Sequence, residues 1–411
     1  MARNGNAKGM KETKFKDTEL GKIPEDWDVC NLGSIGVPLM CKRIMKWQTN
    51  ETAGVPFYKI GTFGKQADAF IAPDVWRYMI THFNYPRKGD ILISAAGTIG
   101  RTVVFDGQPS YFQDSNIVWI NNDEQKVLNP YLEYAYTKVA WSTDASTISR
   151  LYNSNLKSAL ILFPHNKAEQ QRIASALSDA DALVAELDAL IEKKRAIMAG
   201  TMQELLTGKR RLKGFSDPWV NVELSSIGTF IGGGTPSTSN ANYWNGKMPW
   251  ISSADISKGK LNSLCISRRI TDAAILNSAT KRCPKGTLLI VSRVGVGKID
   301  IAPCEVCTSQ DFTNLVVDEC HCDIFIAYRL IPILEYKGKE AQGTSIQGIS
   351  SKEVKRLGIT IPASLAEQRA IASILSDMDA EIAELEAKRD KYKEVRQGMM
   401  QQLLTGKIRL I

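Results

Sequence analysis

The sequence has no long hydrophobic run and few histidines. No stretch approaches 18 consecutive apolar residues, so no helix is predicted to cross a bilayer. The first residues are polar and basic without an apolar core, which argues against a secretory signal and predicts a flexible basic tail over 1–14. The three histidines, His82, His165 and His321, leave little material for histidine-based catalysis.

The composition is that of an ordinary soluble protein with more than one domain. The 411 residues are 44% hydrophobic and 23% charged, which excludes disordered and collagen-like chains. Lys and Arg outnumber Asp and Glu by 52 to 44. This net charge of +8 is compatible with a polyanionic partner, but also with a merely basic protein. Eight scattered cysteines without an export signal predict reduced thiols and a cytoplasmic location.

The chain contains two copies of one plan. Residues 164–212 align with residues 362–410 at a constant offset of 198 and without a gap. After the first four positions, 26 of the 45 aligned residues are identical, which is far beyond chance for a single period. The segments before these copies correspond more weakly, as in KGDILISAAGTIGR (88–101) and KGTLLIVSRVGVGK (285–298).

Each copy predicts one long helix. Asn166 and Ser364 are candidate N-caps, and in the second copy Glu367 completes a capping box. Gly208 and Gly406 are predicted to end the helices with positive φ. Apolar residues recur every 3.5 residues, which favours a coiled coil between the two helices over a helix lying on a globular core. The predicted seam consists of Ile173, Leu177, Val184, Leu187, Ile191, Ile371, Leu375, Ile382, Leu385 and Leu403.

The predicted fold class is α+β, with two mixed α/β globules, two long helices and a pseudo-twofold internal repeat. Short strand-like runs separated by Gly, Asn and Ser turns occupy both globules. The predicted domains are the first globule at 15–163, a central helix at 164–212, the second globule at 213–361 and a C-terminal helix at 362–411. The globules have diverged more than the helices, which predicts two different recognition surfaces.

Several fragments imitate catalytic or metal-binding motifs. Phe230–Gly234 matches the short FxGxG pattern of S-adenosylmethionine-binding methyltransferases, and Asn129–Tyr131 approaches a motif that holds a flipped adenine. The second proline of that motif is missing, and Asn129 followed by Pro130 is also a good helix start. Zinc ligands are available at Cys304, Cys307, Cys320, His321 and Cys322. The first globule has no counterparts to the first two, so no metal is predicted.

The repeated segments resemble the DNA specificity subunit of type I restriction–modification systems. The resemblance rests on Ala168-Glu169-Gln170 to Asp181, Ala366-Glu367-Gln368 to Asp379, both LLTGK ends, Ile23-Pro24-x-x-Trp27 and the GGGTPSTSNANYW…MPWI stretch at 232–251. The first globule is the looser match, because 36–54 lacks a GGTPS-like loop.

The resemblance implies a non-catalytic subunit that binds double-stranded DNA. Each globule would be a target-recognition domain for one half of an asymmetric bipartite site. The resemblance also implies that the two long helices are antiparallel, and their coiled coil would set the gap between the halves. Two modification subunits would methylate adenine, and restriction subunits would act as motor and nuclease. S-adenosylmethionine, ATP and Mg would then belong to these partners, with no cofactor on this chain.

Candidate DNA contacts flank glycine turns or sit at corresponding positions in the two globules. They are Lys59, Arg101, Gln113, Arg293, Lys298 and Gln310. Any one of them could equally be a surface residue without a base contact. Two other functions stay open from the sequence: a self-sufficient S-adenosylmethionine-dependent DNA adenine methyltransferase, and a coiled-coil interaction protein without sequence-specific DNA binding.

Overall fold

A computed structural model describes residues 14–141, 150–342 and 348–411. Apart from Lys14, the predicted tail over 1–14 lies outside the described residues. The chain divides into two compact units, one of Met1–Glu186 with Lys388–Ile411 and one of Leu187–Ala387. The division therefore falls inside both long helices and not at the starts predicted for them. None of the described helices is long and apolar enough to cross a membrane.

The strands of the first unit precede the first long helix. They are β1 (Phe15–Thr18), β2 (Gly21–Pro24), β3 (Trp27–Asn31), β4 (Gly36–Met40), β5 (Thr49–Asn50), β6 (Val55–Tyr58), β7 (Phe70–Ile71), β8 (Ile91–Ser94), β9 (Thr102–Val104), β10 (Tyr111–Phe112), β11 (Ile117–Asn122) and β12 (Leu160–Pro164). They form sheets in the orders β1-β2, β10-β6-β7-β5, β4-β11-β8-β9 and β12-β3.

The strands of the second unit come between the two long helices in the sequence. They are β13 (Trp219–Glu223), β14 (Gly228–Gly232), β15 (Trp244–Ile251), β16 (Arg268–Ile270), β17 (Arg282–Cys283), β18 (Leu288–Ile290), β19 (Ile299–Ile301), β20 (Val306–Thr308), β21 (Thr313–Val317) and β22 (Gly358–Pro362). Their sheet orders are β13-β22, β14-β21-β18-β19 and β16-β15-β20-β17.

The two globules share most of their topology, which confirms the predicted internal repeat. The order β4-β11-β8-β9 in the first matches β14-β21-β18-β19 in the second, and every neighbouring pair in both sheets is antiparallel. In each globule one short strand pair is parallel, β6 with β10 and β15 with β20. The strand that ends each globule pairs with an early strand, so that Trp27 lies opposite Pro164 and Trp219 opposite Pro362.

The described helices are short, apart from three. They are α1 (Pro73–His82), α2 (Asn129–Ala135), α3 (Asn153–Ser158), α4 (Lys167–Leu205), α5 (Asp272–Leu276), α6 (Asp323–Gln342), α7 (Ser351–Lys355) and α8 (Leu365–Leu403). Leu128 is the N-cap of α2, so Asn129 is not the cap that the sequence predicted. The long helices α4 and α8 each contain 39 residues, as the two copies predicted.

Within each unit, part of α4 runs antiparallel to part of α8. In the first unit Asp181 of α4 pairs with Arg396 of α8, and Glu169 pairs with Arg409 beyond the end of α8. In the second unit Lys194 of α4 pairs with Glu381 of α8 at 2.6 Å. Because the partner's number falls as the α4 number rises, the helices run in opposite directions, as the family resemblance predicted.

The predicted seam is mostly buried. Ile173, Leu177 and Leu403 belong to one apolar core of the first unit, together with Trp27 and Tyr131 of the globule. In the second unit, the buried seam residues share a core with α6 and the sheet that contains β18; they are Ile191, Ile371, Leu375 and Ile382. Leu187 is buried, while Val184 and Leu385 are only partly buried. The seam is therefore continuous with the globule cores. Each long helix packs against the other long helix and also against a globular core, so both arrangements considered from the sequence occur together.

Both long helices are followed by a left-handed glycine, as predicted. Gly208 has φ +71° and Gly406 has φ +68°. A Cβ at Gly406 would lie 2.5 Å from Cγ of Pro24, and one at Gly208 would lie 3.2 Å from the Trp219 ring. Each glycine thus serves two purposes, because it permits the backbone turn and leaves room for the globule beneath.

Candidate nucleic-acid interface

The first globule carries a polar groove of about 630 Å³. Its lining combines cations, amides and carboxylates with a few apolar side chains. The lining residues are Arg43, Ile44, Lys46, Thr49, Asn50, Glu51, Phe57, Lys59, Asp68, Ala69, Gln113, Asp114, Ser115, Asn116 and Arg150. Amide and guanidinium groups are those that recognise base edges bidentately, and the cations suit phosphates.

Ion pairs and backbone contacts position the cations of the polar groove. Arg43 Nε lies 2.9 Å from Asp114, and Lys59 Nζ lies 2.9 Å from Asp68. Arg150 Nη2 donates to the Ser115 carbonyl at 2.9 Å and to Asn116 Oδ1 at 3.2 Å. These contacts use only part of the hydrogen-bonding capacity of each guanidinium, since arginine carries five N–H donors. With respect to the part of the chain that the structure describes, the remaining donors of Arg43 and Arg150 are available to a ligand.

Three of the predicted DNA contacts meet at one turn of the first globule. Gln113 Oε1 accepts a hydrogen bond from the Ile60 amide at 2.9 Å, and Arg101 Nη2 donates to the Ile60 carbonyl at 3.2 Å. The Arg101 guanidinium also lies 5.2 Å from the centre of the Phe63 ring. Lys59 precedes Ile60 and lines the polar groove with Gln113. Arg101 and Gln113 therefore support the turn that presents Lys59.

The predicted residues of the second globule are more dispersed. Lys298 Nζ donates to the Ser253 carbonyl at 2.8 Å. When the two globules are aligned, Ser253 corresponds to Ile60 and Lys298 corresponds to Arg101. The two globules therefore share this hydrogen bond from a cationic side chain to a backbone carbonyl. Gln310 accepts from the Thr235 hydroxyl, and Arg293 lies exposed on the turn between β18 and β19. Base contact by these six residues stays a prediction.

Both methyltransferase-like fragments contain residues that pack closely against other segments. Gly232 ends β14. A Cβ at Gly233 would lie 1.9 Å from the Ser309 carbonyl oxygen, and a Cβ at Gly234 would lie 2.4 Å from the Thr280 backbone nitrogen. These glycines permit close approach of two backbone segments and leave no cofactor cradle between them. Asn129 is buried against Asn122, and the buried Tyr131 donates its hydroxyl to the Leu162 carbonyl at 2.9 Å.

The eight cysteines are all free thiols. Burial raises the pKa of Cys41 and Cys283 to about 12, so both behave as apolar core residues. Cys320 lies in a turn and is exposed, whereas Cys322 is buried. Within the described ranges, no group of three or more His, Cys, Asp or Glu side chains is arranged to hold a metal ion.

Each repeated AEQ segment joins its long helix to the rest of its unit. In the first unit the buried Glu169 carboxylate accepts two hydrogen bonds from Arg409, at 2.6 and 2.8 Å. Gln170 donates to the carbonyls of Lys126 and Pro164 and accepts from the Leu128 amide. In the second unit Glu367 binds Arg211 at 2.7 and 2.8 Å, and Gln368 binds the Pro362 carbonyl and the Cys322 amide.

Sequence reasoning missed these arginines. Ser364 does accept from the Glu367 amide, but the Glu367 carboxylate, which the capping box assigned to the helix start, binds Arg211. A signal was present, because Arg211 and Arg409 are 198 residues apart and both follow an LLTGK end. Burial of the glutamates could not be read from sequence spacing.

The last residue of the repeated motif accepts a hydrogen bond from a tyrosine. Tyr134 donates to Asp181 at 2.9 Å in the first unit, and Tyr328 donates to Asp379 in the second. Among the described residues, Asp181 has an arginine partner, Arg396, and Asp379 has none; the position equivalent to Arg396 in the other copy is Met198. Burial raises the pKa of Asp379, and the Tyr328 hydrogen bond partly offsets this effect.

Sequence comparisons identify relatives over most of the chain. The family of type I restriction–modification DNA specificity domains matches twice, at residues 24–194 and 216–394. A putative type I restriction enzyme specificity subunit of Haemophilus influenzae is 51% identical over 175 residues, which are 42% of this chain and 45% of that protein. A putative specificity subunit of Methanocaldococcus jannaschii is 25% identical over 97% of this chain and 98% of its own length.

Solved structures support the same architecture. The specificity subunit of the type I system of M. genitalium matches with a TM-score of 0.65 and 17% identity, covering 92% of this chain and 96% of that one. A chain from a structural study of complex assembly in a type I system matches with a TM-score of 0.53 and 16% identity, over 94% and 99% of the two chains. At these identities the likeness shows the fold.

Proposed function

Because the chain belongs to the family of type I restriction–modification DNA specificity subunits, we propose that it recognises an asymmetric bipartite DNA site, with one half read by each globule. The observation that carries the proposal is the polar groove of the first globule. Asn50, Gln113 and Asn116 line it beside Arg43 and Arg150, and these side chains suit base edges and phosphates. The second globule shares most of this topology but has different surface residues, as expected for a different half-site.

The long helices would bind two copies of the modification subunit. Ile197 of α4 and Val395 of α8 lie 198 residues apart, and their exposed fractions are 48% and 49%. Equivalent apolar side chains exposed on the two helices, one in each unit, support two equivalent docking points. Restriction subunits would join the complex formed by this chain and its modification subunits.

The chemistry would reside on the partner subunits. Modification subunits would bind S-adenosylmethionine and methylate adenine, and restriction subunits would use ATP and Mg to move along and cleave DNA. The packed surroundings of Gly233, Gly234 and Asn129 argue against a methyltransferase site on this chain. Since the target is the host's DNA, we place the protein in the cytoplasm, where its free thiols would stay reduced.

Mapping of methylated adenines tests the two-reader proposal. Cells that express the chain with its modification subunits should show one split motif with a constant gap in long-read sequencing. Arg150→Ala should relax the bases of one half only, and Arg293→Ala those of the other half. Arg77→Ala is the matched control, because Arg77 lies on α1 away from the groove and pairs only with the nearby exposed Asp74 among the described residues. An undivided motif, or loss at the same half in both variants, contradicts the proposal.

Co-purification tests the scaffold. Ile197→Glu and Val395→Glu should each reduce the number of bound modification subunits from two to one, and the double variant should bind none. Leu276→Glu is the control, because Leu276 is exposed at the end of α5 and away from the long helices. Full binding by the double variant contradicts these docking points. Methyl transfer by the purified chain with S-adenosylmethionine alone would favour the methyltransferase function instead.

A further inference from the structure

A tryptophan close in sequence to two residues that line the polar groove is almost entirely exposed. Trp47 lies in a 3₁₀ turn at Lys46–Gln48, and 81% of its surface is accessible. Its neighbours Lys46 and Thr49 both line the groove. The apolar lining residues Ile44 and Phe57 are buried, so they offer little surface to a ligand. Among the described residues, Trp47 therefore offers a large accessible apolar surface near this part of the groove.

Hydrogen bonds hold the backbone around Trp47 in place. The Met45 amide donates to Gln48 Oε1 at 2.9 Å, and the Gln48 amide donates to the Met45 carbonyl at 2.9 Å. The Thr49 hydroxyl donates to the Lys46 carbonyl at 2.8 Å. A turn that is already ordered loses little conformational entropy when its side chain binds a ligand. The indole is thus presented on a rigid support although it packs against almost nothing in its own domain.

We propose that Trp47 is a specificity-determining contact residue, whose indole stacks on a nucleobase at the edge of the half-site bound in the polar groove. This inference rests on the proposed function. Duplex DNA is the occupant, as in the proposed function, because the groove lining carries four cations against three carboxylates, together with amides that suit base edges. The cations are Arg43, Lys46, Lys59 and Arg150, and the carboxylates are Glu51, Asp68 and Asp114.

Stacking by Trp47 requires one base step to open. The faces of the bases are covered inside a duplex, so an apolar side chain reaches them only as a wedge between two steps. Pyrimidine–purine steps open most easily, and the energy of opening depends on sequence. Trp47 would therefore favour such a step at one edge of the first half-site, without forming a hydrogen bond to any base.

The test measures DNA affinity over a series of salt concentrations. The assembled methyltransferase complex binds a fluorescent duplex that carries its mapped methylation motif. Trp47→Ala should weaken binding by about 5- to 100-fold, which corresponds to the loss of one stacked base. The slope of log K against log salt should not change, because no phosphate contact is lost. Lys46→Ala should instead reduce the slope by about 0.9, and Trp47→Phe should retain most of the affinity.

Tyr78→Ala is the matched control. Tyr78 has an exposed fraction of 56% and lies on α1 of the same globule, outside the groove lining. Loss of the Tyr78 side chain should leave the DNA affinity within twofold of that of the wild-type complex. Affinity within twofold for Trp47→Ala overturns the inference, and so does a weakening that Tyr78→Ala reproduces. If the wild-type complex does not prefer its motif over a scrambled duplex, the proposed function itself fails. This outcome is distinguishable from failure of the Trp47 inference alone.

Discussion

Arg409 forms paired hydrogen bonds with the Glu169 carboxylate, at 2.6 Å from Nε to Oε1 and 2.8 Å from Nη2 to Oε2. The same guanidinium binds Asp26 at 2.8 and 2.6 Å and lies 5.8 Å from the Trp27 ring centre. One side chain near the end of the chain thus connects the start of α4 to the first strands of the globule. The hydrogen bonds from Arg409 lower the pKa of Asp26.

Loss of this arginine should destabilise the first unit strongly. Arg409→Met leaves the Glu169 carboxylate, which is 1% exposed, without its charged partner. We expect a loss of about 3–5 kcal/mol, as for other buried ion pairs from which one partner is removed. Thermal or urea unfolding measures the change. Lys16→Met is the control, because its pair with Asp28 is exposed, and it should cost no more than about 1 kcal/mol. Equal effects of the two variants would contradict this role of Arg409.

The glutamine of the first AEQ segment should matter more than its neighbour. Gln170→Leu leaves the carbonyls of Lys126 and Pro164 and the amide of Leu128 without their side-chain partner. Unsatisfied buried polar groups cost about 1–3 kcal/mol each, so unfolding should require clearly less denaturant. Gln171→Leu changes an exposed residue one position further along α4 and should leave the unfolding midpoint nearly unchanged. Similar midpoints for both variants would count against the anchoring role.

Replacement of the equivalent residues Asp379 and Asp181 by asparagine should have different effects on the stability of the protein. Because burial raises the pKa of Asp379, the folded protein binds this proton more tightly than the unfolded chain does. The resulting stability is present below the usual pKa of the carboxyl group and is lost as the pH rises through the raised one. Asp379→Asn keeps an acceptor for Tyr328 and cannot ionise. It should therefore gain stability relative to the unmodified protein between pH 4 and pH 7.

Asp181→Asn is the comparison for this experiment. It removes the charge partner of Arg396 and should lower stability at pH 7. Unfolding temperatures at both pH values measure the two effects. A gain for Asp181→Asn at pH 7, or no pH-dependent gain for Asp379→Asn, would contradict the distinction between the two copies.

Glycines inside the long helices should be replaceable. A Cβ at Gly200 or Gly398 would meet no atom within 4 Å, so Gly200→Ala and Gly398→Ala should each stabilise the protein by about 0.5–1 kcal/mol. Gly406→Ala is the contrast, because its positive φ and the nearby Pro24 ring both oppose a side chain. Unfolding temperatures should rise for the first two variants and fall for the third. A lower unfolding temperature for all three variants would contradict the prediction that Gly200 and Gly398 can be replaced.

The candidate site was only partly accessible to sequence reasoning. The sequence predicts Lys59 from its position near Gly61 and Gln113 from its correspondence with Gln310, and both line the polar groove. Arg43, Asn116 and Arg150 line it too but lie on segments far apart in sequence, so no local pattern connected them. Trp47 was missed because the sequence does not show which tryptophans are exposed, and in this chain Trp27 and Trp119 are buried.

The sequence by itself determined the duplication and the two long helices, because a constant offset and a 3.5-residue period can be read directly along the chain. Tertiary structure alone decided what the polar residues of the repeat do. Glu169 and Glu367 look like helix-capping residues in sequence, but folding brings an arginine from beyond the other helix to each of them. Burial removes water from these carboxylates, and only a partner distant in sequence can then satisfy their charge.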